Sequence, residues 1–241
     1  MPYNATTERK IYIVRHGQAS LGAADYDNLS ALGEQQAERL GRYFASRGVA
    51  FDAVYAGTLR RHAQTYAAIL RGFEGSIDAR PQANMNAALR AGLNEYDSEA
   101  VIGAIASPEQ IAALKSPNSP DGYKQHFAML RRGIGAWMRG EAQPSNMTTY
   151  AEFAAGVMAV LDEIRASDAQ TVLVSSSGGP LSSAIAQVLG LSHEAGIELN
   201  MRMRNTAVSE LLVTPKRCVL LTFNTLPHLD DDAGRAMQTY A

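Results

Sequence analysis

Ile11-Tyr12-Ile13-Val14-Arg15-His16-Gly17 is the stretch on which the reading of this chain turns. Four apolar, mostly β-branched residues closed off by a glycine predict a short strand. A guanidinium and an imidazole stand directly after it. In open α/β sheets, ligands bind outside the carboxyl ends of the strands. The residues just after each later strand therefore matter as much as the strand itself.

Moving outward, a loop of small and polar residues runs to about Leu29. Ser30 is placed to cap a helix over 31–47, with Leu32, Ala37, Leu40 and Phe44 on one face and Gly48 as its stop. Residues 51–55 read as a second strand. A helix is expected from Thr58 through Leu70, with Ala63, Tyr66 and Leu70 inward and Gly72 ending it. Residues 77–82 read as a further short strand. Pro108, Pro117, Pro120 and Gly122 break up the region 97–147, which reads as an insertion with a helical pattern over 127–137. Thr149 and Glu152 form a capping box before a stripe of Tyr150, Phe153, Val157, Leu161 and Ile164. Val172-Leu173-Val174 predicts a strand, and Gly178-Gly179-Pro180 leads into a helix over 181–189 stopped by Gly190. Residues 207–213 and 219–223 predict two last strands around a turn at Thr214-Pro215-Lys216-Arg217. Strands alternating with helices imply an α/β fold with helices on both faces of the sheet.

Composition agrees with a globular chain. At 241 residues, a chain can bury roughly 70–75% of the surface that it exposes when unfolded, so no metal or disulfide is required for folding. Apolar residues make up 46% and charged ones 19%, with a net charge of −2. There is no global basic field for nucleic acid, so an anion site has to be a local cluster. The single cysteine, Cys218, excludes an intramolecular disulfide and reads as a buried structural thiol. No apolar run approaches the ~18 residues of a membrane span, and a cytoplasmic location is the simplest expectation.

The strand ends carry a coherent set of groups. Arg15-His16-Gly17 comes after the first strand, and Gly57-Thr58-Leu59-Arg60-Arg61 comes after the second and opens a helix. Glu95 lies in Leu93-Asn94-Glu95-Tyr96, and Ser175-Ser176-Ser177-Gly178-Gly179 ends a strand and opens another helix. Guanidiniums match phosphate oxygens with paired hydrogen bonds, and helix N-termini favour anions. A histidine between guanidiniums stays neutral and nucleophilic, while a carboxyl facing a phosphate is pushed toward its protonated form.

The stretch Ile11-Tyr12-Ile13-Val14-Arg15-His16-Gly17-Gln18 resembles the opening motif of the histidine phosphatase superfamily, the phosphoglycerate-mutase-like fold. Leu29-Ser30-Ala31-Leu32-Gly33-Glu34-Gln35-Gln36-Ala37 is similar to that family's Leu-Thr-x-x-Gly-x-x-Gln-Ala. The stretch Leu59-x-Arg61-x-x-Gln64-Thr65 is similar to its Leu-x-Arg-Ala-x-Gln-Thr. Asn205-Thr206-Ala207 and Phe223-Asn224-Thr225-Leu226-Pro227-His228-Leu229 resemble its last two strands. The resemblance implies a three-layer sandwich: a central, mostly parallel mixed sheet, helices on both faces, and a helical cap inserted at about 97–147 into a single domain spanning 1–241. It implies a metal-independent phosphomonoesterase with a phosphohistidine intermediate and no cofactor. Carried over by position, His16 is the nucleophile, Arg15 and Arg61 clamp the phosphate, and Glu95 donates the proton. Gln18 and Ser20 line the pocket, and Ser177 and Gly178 complete the anion site. Arg60 is off-register and expected in solvent.

Two departures qualify this. The family reads Ser-His-Gly-Gly where this chain reads Ser176-Ser177-Gly178-Gly179, so the second histidine is a serine. A hydroxyl still donates one hydrogen bond but carries no charge. The expected activity is therefore attenuated, with a catalytically weak or inactive phospho-ligand-binding or interaction protein as the alternative. His62 or His228 is a candidate to compensate, and restoring histidine at 177 is expected to raise turnover. The true mutases continue Leu-Asn-Glu with Arg-His-Tyr-Gly. This chain continues with Tyr96-Asp97-Ser98-Glu99, which argues against phosphoglycerate mutase activity. The expected partner is a small phosphorylated metabolite, with neither nucleic acid nor membrane, and self-association as a homodimer stays open.

Overall fold

The computed structural model describes residues 8–20, 27–74, 86–114, 119–214 and 216–240. Its centre is a six-stranded sheet in the order β3-β2-β4-β1-β5-β6. The strands are β1 (Arg9–Arg15), β2 (Ala53–Ala56), β3 (Ala88–Leu89), β4 (Thr171–Ser176), β5 (Val208–Val213) and β6 (Cys218–Thr225). From β3 to β1 the pairings are parallel, whereas β1–β5 and β5–β6 are antiparallel. The sheet is therefore mixed and mostly parallel, as expected.

Register places the chemistry. Arg15 pairs with Ser176, and Ala56 pairs with Ser175, so β1, β2 and β4 end level with one another. Strand β5 runs the other way, which brings its entry at Asn205 and Thr206 to the same edge.

Side chains alternate across the sheet with the period of a strand. Ile11, Ile13, Val172, Val174 and Leu211 face one side. There they pack against α6 (Tyr150–Ala166) and α7 (Gly178–Leu189) through Val157, Ile164, Leu181 and Ile185. Tyr12, Val14, Val54 and Leu173 face the other side. They pack against α1 (Ala31–Ser46) and α2 (Arg60–Glu74) through Leu40, Phe44, Ile69 and Phe73. Caps fix the starts of α1 and α6: the Ser30 hydroxyl accepts from Gly33 N–H, and Thr149 and Glu152 form the reciprocal box.

Helix α2 differs from its expectation in two ways. Gly72 does not end it; the helix continues to Glu74. A methyl group at Gly72 would sit 2.3 Å from the Glu38 carbonyl oxygen, and one at Gly41 would sit 2.0 Å from that of Ile69. The glycine is there to let α1 and α2 touch backbone to backbone. The buried face is also offset: Arg61, His62, Thr65, Ala68 and Ile69 are buried, whereas Ala63, Tyr66 and Leu70 are only half-buried.

The region 97–147 holds α3 (Ser98–Gly103), α4 (Pro108–Ala113) and α5 (Pro120–Met138). Pro108 and Pro120 start helices instead of breaking them, each at the first position after a capping serine, Ser107 and Ser119. Val101, Ile102, Leu130, Ile134 and Trp137 form a separate small core with Tyr150 and Ile197, the latter from α8 (His193–Arg202). This is the helical cap. A short α9 (Asp232–Arg235) lies beyond β6, and Asp231 caps it while pairing with Arg39 at 2.5 Å. Cys218 is half-buried on β6, less enclosed than expected. The strand expected over 77–82 lies outside the described residues, and two-residue β3 occupies the sheet edge.

Candidate active site

The bend after β1 holds the imidazole in one orientation. His16 N–H donates to the Ser176 carbonyl at 2.8 Å, and Asn205 Nδ2 donates to the His16 carbonyl at 3.1 Å. The ring Nδ1 lies 2.7 Å from the Gly17 carbonyl oxygen. A carbonyl only accepts, so the proton of the neutral ring sits on Nδ1, and Nε2 carries the lone pair. Burial holds the His16 pKa well below the usual range, and Arg15, Arg61 and His62 push it further the same way. His16 is therefore neutral near pH 7, with the Nε2 lone pair uncommitted to a proton.

The two guanidiniums are tied down differently. Arg15 Nη1 donates to the carbonyls of Met203 and Tyr240, the latter at 2.5 Å. The C-terminal segment behind it is bolted to the site edge. Asn205 N–H donates to the Thr239 carbonyl at 2.9 Å, and the buried Gln36 reaches the Met237 carbonyl at 2.6 Å and Thr239 Oγ1 at 3.0 Å. Arg61 is buried and pairs through Nη1 with Asp27 at 2.8 Å, while its Nη2 lies 3.5 Å from Ser177 Oγ. Asp27 also accepts the Arg60 backbone N–H at 2.8 Å, occupying the start of α2 from another loop. Sequence reading missed Asp27, which sits in a loop without periodicity. Arg60 is exposed, as expected.

Glu95 comes just after a 3₁₀ turn, Ala91–Leu93, beyond the short β3. Its carboxylate accepts from Gly179 N–H at 3.1 Å and from Tyr96 N–H at 3.2 Å. A Cβ at 179 would lie 2.1 Å from Glu95 Oε1 and 2.5 Å from the Tyr96 ring, so a larger residue there would displace the Glu95 carboxyl. Burial pushes the Glu95 pKa up, and this outweighs the Gly179 hydrogen bond and the two arginines, which pull it down.

Ser177 sits at the cap position of α7, yet its side chain makes no capping bond. It turns to His62 instead: His62 Nε2 and Ser177 Oγ are 2.7 Å apart, and both residues are fully buried. The His62 and His16 rings lie 5.9 Å apart, centre to centre. Burial, helped by the Arg61 charge, pushes the His62 pKa down to about 3. A histidine introduced at 177 would therefore meet the His62 ring, which the Ser177 side chain already touches. His228 bonds Thr206 at 2.9 Å and sits against Arg39.

The structure thus brings Arg15, His16, Arg61, Glu95, Ser177 and Gly178 together at the carboxyl edge of the sheet. Of the two other residues expected to line the pocket, Gln18 Oε1 accepts from Ser30 Oγ at 2.8 Å, and Ser20 backbone N–H donates to the Asn28 carbonyl at 2.8 Å. Among the described residues, no group of three or more His, Cys, Asp or Glu could hold a metal ion. Among them also, no helix is long and apolar enough to cross a membrane.

A neutral imidazole between guanidiniums, at the carboxyl edge of a mixed sheet and under a helical cap, defines a class. The profile of the histidine phosphatase superfamily (branch 1) matches residues 11–97 and 123–226, and the chain belongs to that superfamily. Among curated relatives, a broad-specificity phosphatase of Saccharomyces cerevisiae is 37% identical over 68 residues, 26% of this chain and 30% of the relative. The mitochondrial serine/threonine-protein phosphatase Pgam5 of Caenorhabditis briggsae is 34% identical over 73 residues, 30% of this chain and 25% of the relative. The chain thus covers less than a third of either relative. Among solved structures, a phosphoserine phosphatase mutant from Entamoeba histolytica superposes with a TM-score of 0.62 at 18% identity, covering 92% of this chain and 99% of that one. The phosphoglycerate mutase of Bacillus anthracis gives 0.59 at 16% identity, covering 94% and 97%. These likenesses establish the fold.

Proposed function

We propose that this chain hydrolyses the phosphomonoester of a small metabolite through a phosphohistidine at His16, without a metal ion. The observation that carries this reading is the fixed tautomer of His16, with Nδ1–H on the Gly17 carbonyl and the Nε2 lone pair kept neutral by burial and by two cations. In the first step Nε2 forms a bond to phosphorus as the bond to the ester oxygen breaks, and the Glu95 proton goes to that oxygen. Arg15 and Arg61 spread the charge of the equatorial oxygens, with Ser177 and the backbone at Gly178 as further donors. The Nδ1–H bond to Gly17 holds the ring as it becomes positive. In the second step water attacks phosphorus, its proton returns to Glu95, and the N–P bond breaks to release inorganic phosphate. The raised pKa of Glu95 suits both roles. Mutase activity is not part of this reading, because Tyr96-Asp97-Ser98-Glu99 stands where the mutases carry Arg-His-Tyr-Gly.

The test is a panel of phosphorylated metabolites assayed with and without a chelator, together with trapping of the labelled enzyme. An acid-labile, base-stable label mapping to His16, with turnover indifferent to the chelator, is the expected result. A label that survives acid or maps to Ser177, or activity that a divalent ion restores, overturns the mechanism. A correctly folded protein that hydrolyses nothing would favour a phospho-ligand-binding role.

A further inference from the structure

Two residues depart from the superfamily's motifs, and the fold puts them in contact. His62 stands where Leu-x-Arg-Ala-x-Gln-Thr has alanine, and Ser177 stands where Ser-His-Gly-Gly has histidine. They are 115 positions apart in the chain, and their side chains meet at 2.7 Å in the interior. Taken singly, each change is a fault. An imidazole added to a buried helix face needs a partner, and a histidine cut back to serine loses a donor and leaves space. Taken together, they keep one imidazole and move it from the start of α7 to the first turn of α2.

We propose that His62 is a positioning residue that does, through the Ser177 hydroxyl, the work of the histidine that the superfamily carries at position 177: it holds Ser177 O–H aimed at the transferring phosphoryl group. The proposal rests on the phosphatase reading of the site.

A count of protons supports it. Arg61 Nη2, 3.5 Å from Ser177 Oγ, can only donate. Among the described residues, His62 Nδ1 is buried with no hydrogen-bond partner. A neutral imidazole has one N–H, and His62 stays neutral, with its pKa pushed down to about 3 by burial first and Arg61 second. A proton on Nδ1 would leave a buried N–H with nothing to donate to, the rarest kind of orphan. A proton on Nε2 leaves only a bare lone pair at Nδ1 and makes the 2.7 Å contact an Nε2–H bond donated to Oγ. Ser177 Oγ then accepts from both Arg61 and His62, and its own proton remains for a third partner. That partner is the anion held between Arg15 and Arg61. Gly57 belongs to the same device: a methyl group there would lie 2.2 Å from His62 Nδ1. No proton is transferred along this path; the hydroxyl bond tightens as charge grows on the phosphoryl oxygens.

The experiment measures hydrolysis of p-nitrophenyl phosphate and binding of orthovanadate. It uses the wild type, His62→Ala, Ser177→Ala, the double alanine variant, and the exchange variant carrying His62→Ala with Ser177→His. Each single alanine is expected to lower kcat on the order of tenfold or more while KM changes little. The double alanine variant should be no worse than either single, because the pair acts as one device. The exchange variant should recover most of the loss, and His193→Ala, remote and exposed, should change nothing. Long-range proton–nitrogen spectra of the wild type should show His62 as the Nε2–H tautomer, a readout that needs no variant to fold. Full kcat in His62→Ala, additive losses in the double variant, or the Nδ1–H tautomer overturns the proposal. If the wild type hydrolyses no phosphomonoester, the phosphatase reading falls, and vanadate decides the rest. Affinity lost in His62→Ala and regained in the exchange variant retains the donor device; affinity that is unchanged, or absent from the wild type, overturns it.

Discussion

The polar floor of the site and the cap above it are built on opposite principles. In the floor, His16, Arg61, His62, Thr65, Ser176 and Ser177 are all buried, and each is hydrogen-bonded to a residue distant in sequence: His16 N–H to the Ser176 carbonyl, and Thr65 Oγ1 from Gly17 N–H, among them. In the cap, α4 buries none of its residues, and Ile111 and Tyr123 are 44% and 37% exposed. A polar interior is unforgiving, since removing one partner leaves another unsatisfied at a cost of about 1–3 kcal/mol. A thin apolar layer tolerates exchange. The proposed function then assigns chemistry to the floor and substrate choice to the cap.

The contrast is sharpest at the nucleophile. His16→Ala should lower kcat/KM by about 10⁴-fold or more, with the melting temperature little changed; retained turnover would remove the floor's central claim. Glu95→Gln should cost on the order of 10²–10³-fold with esters of poor leaving groups and much less with p-nitrophenyl phosphate. The alkaline limb of the pH profile, set above the ordinary carboxylate range by burial of Glu95, should vanish with it. Equal losses on both kinds of ester would argue against proton donation.

Stability gives a second contrast. Gly72→Ala forces α1 and α2 apart where a Cβ meets the Glu38 carbonyl oxygen at 2.3 Å. Overpacking of this kind costs about 1–3 kcal/mol, which urea denaturation would read. The buried histidines add a pH term. His62 and His228 both have pKa values pushed down to about 3, against ~6.5 in the unfolded chain. Between those values the unfolded state binds more protons. Stability should be full above pH ~6.5 and fall as pH drops toward 3, by up to about 1.4 kcal/mol per pH unit for each histidine. His62→Gln should flatten that slope, and an unchanged slope would mean that the ring is protonated in the fold. The smallest effect belongs to the cap. Tyr123 stacks on Phe127 at 4.3 Å and lies near enough to Arg15 for the guanidinium to act on its phenol. Tyr123→Ala should change the ranking of substrates by roughly three- to tenfold, about 1 kcal/mol, while leaving kcat for p-nitrophenyl phosphate within a factor of two or so. A large fall in that kcat would place Tyr123 in the floor.

This division also decided what the sequence could tell. The β1 run, the caps at Ser30 and Thr149 and the alternation of elements obey local rules and were legible. So was the placement of His16, Arg15, Arg61 and Glu95 at one edge of the sheet, because each comes after a strand or turn there. The buried face of α2 was misread because it is polar at the site end: Tyr66 and Leu70 looked like core, and His62 and Thr65 did not. Ser107-Pro108 and Ser119-Pro120 looked like interruptions, because proline stops and starts helices alike and only the preceding cap tells which. The link between His62 and Ser177 had a trace in the sequence, two departures from one pattern. Nothing local said that they were the same departure.

The path from Gln36 and Asn205 through Thr239 to the Tyr240 carbonyl has a practical side. The carbonyl that seats Arg15 belongs to the last residue described. If Arg15 clamps the phosphate as proposed, an affinity tag joined beyond Tyr240 hangs its weight and motion on the seat of a substrate-binding group. Two preparations of one protein, with and without that tag, would then disagree in KM, and the disagreement would look like biology.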